Sequence, residues 1–354
     1  MTVATMRFAG CSLTPWLMFW LQSEFLVSVT RNREYLTPML KSLTTLILAA
    51  ASGLAVNAAP TLAERLGYAA TDKLLIVNGD DVGMCHTANL ATIEALEQGV
   101  MTSSTILVPC PWFLEIAEYA RAHPDKDFGV HLCQTSEWRT YRWGPVAPRT
   151  EVPGLIDPEG YFWHETPQVY AKATPDEAYR EARAQIQKAL AAGVDVTHLD
   201  SHMGVLQYRP DYLEKYLQLA VEFDLPVRMA SQAAFEQGGQ PGWREKFAAK
   251  GILFSDDFVF SETGYKGADD VKPTWMKRLA DLRPGVTELF IHAGQPTDEL
   301  KAITGSWAIR SAEFETFTRD AELKAQLNHD GVKLIGYRVI RDLQRKLRRE
   351  IKGP

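Results

Sequence analysis

Leu74-Leu75-Ile76-Val77-Asn78-Gly79-Asp80-Asp81-Val82-Gly83 is the stretch around which the rest of this 354-residue chain can be organised. Its apolar opening reads as a buried strand, and the strand ends on two consecutive carboxylates. A second segment repeats the arrangement with imidazoles. The strand-like run 194–197, with valines at 194 and 196, leads into His198-Leu199-Asp200-Ser201-His202. Side chains alternate faces along a strand, so His198, Asp200 and His202 share a side. Acidic and imidazole groups at the ends of separate strands are the donors that a hard or borderline divalent metal takes.

The pattern extends along the chain. Strands are expected at 74–78, 104–108, 128–132, 196–199, 227–229, 289–291 and 332–335, with helices at 88–98, 113–122, 175–192 and 212–223. Thr174 reads as the cap of the long third helix and Gly193 as its stop. Strands alternating with helices predict an α/β fold with a parallel sheet, open or closed into a barrel. In that architecture ligands bind at the carboxyl ends of the strands. Asp80-Asp81, His131, the 198–202 segment and His292 all stand there. An irregular insert at 135–167 holds Trp138, Tyr141, Trp143, Tyr161, Phe162 and Trp163.

Composition narrows the class. Apolar residues make up 46% and charged residues 23%, ordinary for a globular enzyme. A net charge of −6 argues against a nucleic-acid partner. The basic run at 341–349 alternates with apolar residues and reads as a final amphipathic helix. Residues 39–58 carry one lysine, a short apolar core and a small-residue exit, which reads as a secretory signal peptide cleaved after Ala58. That core is shorter than the roughly twenty residues of a membrane span. Met39 then becomes the true start and 1–38 a start-site artefact; the competing view is a membrane-proximal extension. Export to the periplasm or beyond follows, with 59–354 as a single catalytic domain. Cys85, Cys110 and Cys133 form no CxxC pair, and buried apolar packing explains them.

One carboxylate and two imidazoles leave coordination positions open, as a hydrolytic metal requires. Asp81, His131 and His202 are the expected ligands, and Asp80 is the expected base for a water molecule. Consecutive carboxylates diverge on a regular strand, so Gly79 and Gly83 are expected to turn both toward the site. His292 reads as the acid for a departing amine or as the stabiliser of an oxyanion. His198 and Asp200 are expected to orient His202 and tune its basicity. His86 lies in the loop after Asp81 and is placed near substrate, while Trp138 and Trp143 are candidate stacking surfaces for a sugar. His123, His164 and His329 are expected to face solvent.

These segments resemble the motifs of the YdjC-like carbohydrate deacetylases, which include chitooligosaccharide deacetylases and hopanoid-biosynthesis deacetylases. The 74–83 stretch is similar to their opening motif, Gly129-Val130-His131-Leu132 to the second, Thr197–His202 to the third and Glu288–Gly294 to the last. The resemblance runs from about Leu74 to Arg338. It implies a deformed (β/α) barrel resembling polysaccharide deacetylases, one divalent metal ion (Mg2+ or Zn2+), and hydrolysis of an N-acetyl group on an amino sugar or oligosaccharide. Residue by residue it implies Asp80 as base, Asp81, His131 and His202 as ligands, and His292 as the late histidine. The chain departs from the family pattern at Gly79, Val82 and Ala293, and Met203-Gly204 follow His202 where further histidines often stand. Two other readings compete: a barrel metal-hydrolase acting on another ester or amide, and a non-catalytic carbohydrate-binding protein on the same fold.

Overall fold

The computed structural model describes residues 59–259 and 265–352. The expected start-site extension at 1–38 and signal segment at 39–58 lie outside the described residues. The strands are β1 (Lys73–Val82), β2 (Ser103–Ile106), β3 (Phe128–Leu132), β4 (Val196–Ser201), β5 (Asp257–Val259), β6 (Gly285–Ile291) and β7 (Val332–Leu334). They pair in the order β4-β3-β2-β1-β6-β5, and every pairing is parallel. β7 lies beside the first residues of β1, and β2 beside its last.

The sheet curls, and its two ends are bridged by extended chain rather than by a regular strand. The Leu199 N–H donates to Pro226 O at 3.1 Å and the Arg228 N–H to Leu199 O at 2.9 Å, while the Val227 N–H reaches Leu253 O at 3.2 Å. On the far side the Asp256 N–H donates to Val286 O at 2.8 Å. This is a deformed (β/α) barrel, strand paired to strand through β4-β3-β2-β1-β6 and closed only by irregular chain at 226–228 and 253–256. The expected strand at 227–229 is therefore an extended segment, joined to β4 through a single bridge at Val227.

Helices cover the outside. Helix Pro175–Ala191 begins with the expected cap: Thr174 Oγ1 accepts from the Glu177 N–H at 3.2 Å, and the Glu177 carboxylate accepts from the Thr174 N–H at 2.8 Å. It stops before Gly193, whose φ of +87° ends the helical run. Because both faces of β1 are covered, its residues from Leu74 to Val82 are all buried. Leu75 and Val77 join the large outer core, whereas Leu74 and Ile76 pack with Val286, Ile335, Tyr337 and Ile340 inside the barrel. The final helix, Tyr337–Lys352, plugs the lower end, with the Tyr337 ring stacked on His198 at 3.8 Å and 8°. Above that apolar plug the interior turns polar, and the site begins there. Among the described residues no helix is long and apolar enough to cross a membrane.

Candidate metal centre and substrate cleft

β1 slips its register against β2 between Gly79 and Val82, so one extra residue sits at Asp80-Asp81. Bulges of this kind re-aim side chains. Here Asp81 itself takes the left-handed conformation, with φ of +66°, and Gly83 follows at +91°. A left-handed non-glycine residue is strained, and such strain concentrates at functional sites. The expected help from Gly79 and Gly83 is thus only part of the device. Asp81 carries the rest, and both carboxylates face one cleft of about 130 Å3.

Asp81 Oδ1 is the focus. His131 Nε2, from the end of β3, lies 3.3 Å away, and His202 Nδ1, just past β4, lies 3.2 Å away. Despite these distances the oxygen is buried without a well-formed hydrogen bond. Three donor atoms pointing at a common space, all within 4.8 Å of one another, suit a shared cation better than mutual hydrogen bonds. The far ring nitrogens are held as metal-ligating histidines usually are. His131 Nδ1 sits 2.6 Å from Asp200 Oδ1, and His202 Nε2 sits 3.1 Å from Glu137 Oε2.

The electrostatics point the same way. Burial opposes charge on both imidazoles, yet Asp200 and Asp80 push His131 up to about 10, and Glu137 raises His202 well above the usual range. Burial likewise opposes ionisation of Asp81, but the Arg310 guanidinium, 2.7 Å from its Oδ2, holds that carboxyl well below normal. Carboxylates that favour a proton on both rings would favour a divalent cation for the same reason. The donor set fits the metal.

Asp80 is held apart from that focus. Arg228 grips it in a bidentate pair at 2.7 and 2.8 Å, Asn78 donates to its Oδ1 at 2.8 Å, and its Oδ2 lies 4.0 Å from His131 Nε2. Burial would raise this carboxyl, but Arg228 and then His131 bring it down to about 2. Arg228 also meets Asp200 Oδ2 at 3.0 Å and Glu288 Oε1 at 2.8 Å. Asp80, His131 and Asp200 are close enough to suggest a second cation position, and the guanidinium fills it. His292, at the end of β6, lines the cleft with Nε2 3.8 Å from Asp81 Oδ2. Its backbone N–H donates to Glu313 at 2.8 Å.

Several expectations need correction. Asp200 orients His131, not His202. Residue 131 pairs with residue 200 across β3 and β4, and that register decides the contact. His198 does share the inward side with Asp200, but it lies deeper, between Thr197 Oγ1 at 2.9 Å and Asn78 Oδ1 at 3.2 Å. Burial and then Arg228 keep its pKa well below normal, so it is a neutral interior group that does not touch His202. His86 opens the helix His86–Gln98, pairs with Glu115 at 2.8 Å and packs on Trp112, away from the cleft wall. Trp143 is only 3% exposed and gives its indole N–H to Cys133 Sγ at 3.4 Å, so it packs the insert and cannot stack on a sugar. Trp138 is half-buried, with the Arg310 guanidinium 5.8 Å from its ring. His164 is not a free surface group either, since Arg142 binds it at 2.7 Å.

Four residues of the site escaped the sequence reading. Arg228 had a signal, a charge closing the apolar run Leu225-Pro226-Val227. Glu137, Arg310 and Glu313 sit in the insert and in helix Trp307–Thr318, where nothing local marks them.

Residues 74–329 match the family described as YdjC-like protein. The chain belongs to the YdjC-like family. Among its curated relatives, a carbohydrate deacetylase of Thermoanaerobacter pseudethanolicus is 27% identical over 76% of this chain and 100% of the relative. A chitooligosaccharide deacetylase of Yersinia enterocolitica is 32% identical, covering 75% of this chain and 98% of its own. The crystal structure of an Enterococcus faecalis V583 protein, provisionally named a cellobiose-phosphate cleavage protein, superimposes with a TM-score of 0.66. It is 29% identical and covers 76% of this chain and 99% of its own. The YdjC-like match thus spans the barrel from β1 to the helix Ala321–His329 and takes in every motif of the cleft.

Proposed function

We propose that the chain is a metal-dependent carbohydrate deacetylase that hydrolyses an N-acetyl group on an amino sugar or acetylated oligosaccharide. The observation that carries this reading is the buried Asp81 oxygen facing two ring nitrogens, with a second carboxylate, Asp80, held beside it. The names borne by the relatives support the substrate class.

Asp81, His131 and His202 would hold one divalent ion, Mg2+ or Zn2+, which supplies Lewis acidity toward the amide oxygen and acidifies water. Arg228 keeps Asp80 ionised at neutral pH, the state in which it can take a proton from the attacking water, and fixes both carboxylate oxygens. Water adds to the carbonyl carbon, the C–N bond breaks, and acetate and a free amine form. His292, whose Nε2 lies 3.8 Å from the other Asp81 oxygen, Oδ2, would give the departing nitrogen its proton. The Arg228 guanidinium in the second cation position favours a single-metal hydrolase over a two-metal one.

The test is a panel of N-acetyl amino sugars and oligosaccharides, with O-acetyl sugars as controls, followed by assay of acetate and free amine. Equimolar acetate and amine from at least one N-acetyl sugar is expected. Sugar binding without release would instead favour the non-catalytic reading, and release from O-acetyl sugars alone would favour an esterase.

A further inference from the structure

We propose that Tyr208 is the platform on which the substrate's sugar ring stacks, held at the mouth of the cleft by the turn that carries His202. The inference rests on the carbohydrate reading above and adds the surface that recognises the ring. Tyr208 is 58% exposed, whereas of the two tryptophans expected to stack Trp143 is buried and Trp138 is half-buried. It stands on the wall shared by two cavities: the polar cleft, and a neighbouring apolar cavity of about 290 Å3 lined by Leu213, Met229 and Phe235. That boundary suits a pyranose, which carries hydroxyls at its edge and C–H bonds on its face. An aromatic ring buries such a face at low entropic cost, because tyrosine has few torsions to freeze.

The ring is also built in. Gly204 has φ of +66°, and a Cβ there would lie 2.4 Å from the Tyr208 ring carbons, so the aromatic packs directly over glycine backbone. The Tyr208 N–H donates to Gly204 O at 3.2 Å, and the Tyr208 carbonyl accepts from Gln240 Nε2 at 3.0 Å. Within the same turn the Leu206 N–H donates to Ser201 Oγ at 3.0 Å, and the Val205 N–H to His202 O at 3.3 Å. Platform and proposed metal ligand therefore share one braced turn. That connection fixes the ring's distance from the reacting amide.

The experiment uses metal-loaded protein and two probes, the methyl glycosides of N-acetylglucosamine and of glucosamine. Acetate release is measured for the first and binding for the second, in wild type, Tyr208→Ala, Tyr208→Phe and Gly204→Ala. Tyr208→Ala should raise KM and weaken glucosaminide binding by on the order of tenfold, with kcat changed far less and metal content equal to wild type. Tyr208→Phe should restore both, and Gly204→Ala, which displaces the ring, should imitate Tyr208→Ala. Acetate release with an unchanged KM in Tyr208→Ala would overturn the platform and leave the deacetylase reading standing. Sugar binding that depends on Tyr208, without acetate release, would do the reverse. A wild-type protein that binds neither glycoside would overturn Tyr208 as a platform for a single amino-sugar ring, and the deacetylase reading would then be decided by the oligosaccharides of the wider panel.

Discussion

Replacing Asp80 by asparagine separates the proposed base from the proposed metal ligands, and the surrounding contacts set what it should cost. The amide keeps the shape of the carboxylate but cannot accept the proton of water, so turnover should fall by about 10²–10⁴-fold. Metal content should not fall, because Asp80 lies outside the Asp81–His131–His202 donor set. Stability is a separate matter. Removing one partner of a buried ion pair typically costs about 3–5 kcal/mol, since the other charge is left alone. Arg228 is not left alone here: Asp200 at 3.0 Å and Glu288 at 2.8 Å still flank it. The loss should therefore be smaller, about 1–3 kcal/mol by the same reasoning, and the protein should remain folded for assay. The measurements are metal per chain, the rate constant for acetate release and a denaturant midpoint. Activity within tenfold of wild type would refute Asp80 as base. Loss of metal in Asp80→Asn, with retention in Asp81→Asn, would mean that the roles of the two aspartates are reversed.

Three further outcomes follow from neighbouring contacts. His131→Ala or His202→Ala should abolish metal binding and hydrolysis together while the fold persists, because a core of this size does not depend on the ion; equal metal stoichiometry in mutant and wild type would remove that residue from the ligand set. Asp200→Asn should weaken metal affinity by about 10–100-fold through His131, whose Nδ1 it holds at 2.6 Å, and an unchanged affinity by metal titration would count against that coupling. Glu288 provides a pH test. Burial, partly offset by Arg228 and Tyr337, raises its carboxyl from 4.5 to about 7. A raised folded pKa means that stability fully present below 4.5 is lost as pH climbs through about 7, a penalty of about 3 kcal/mol. Glu288→Gln has no such ionisation, so its thermal midpoint should gain on wild type between pH 5 and pH 8. A difference that stays constant across that interval would be inconsistent with a buried, late-ionising Glu288.

Strand-forming runs and strand-end chemistry were legible because they are local. The β3 bounds Phe128–Leu132 and the helix Phe113–Ala122 match their expected limits, and β1 continues through Asp81 only because a bulge accommodates the acidic pair. Between 230 and 259 the reading fails for a physical reason. β5 is three half-buried residues, and the helices Gln232–Gln237 and Trp243–Ala249 are too short to display a period. Parity along β4 correctly put His198 and Asp200 on one side. It could not say what faces them, because partner choice depends on the register between β3 and β4, strands whose paired residues are about seventy positions apart. The same limit hid Arg310, which reaches Asp81 from 229 residues away. Aromatic identity misled in the insert, since a tryptophan's affinity for a sugar face is also an affinity for a protein core. Trp143 went to the core.

The most direct test of the central claim is a titration of metal-free protein with Mg2+ or Zn2+, following acetate release from an N-acetylated amino sugar at each addition. The account predicts no release in chelator, a linear rise to one equivalent per chain, and a plateau thereafter, because Arg228 already fills the second cation position between Asp80 and Asp200. Release that persists in chelator, or that requires a second equivalent, would contradict it.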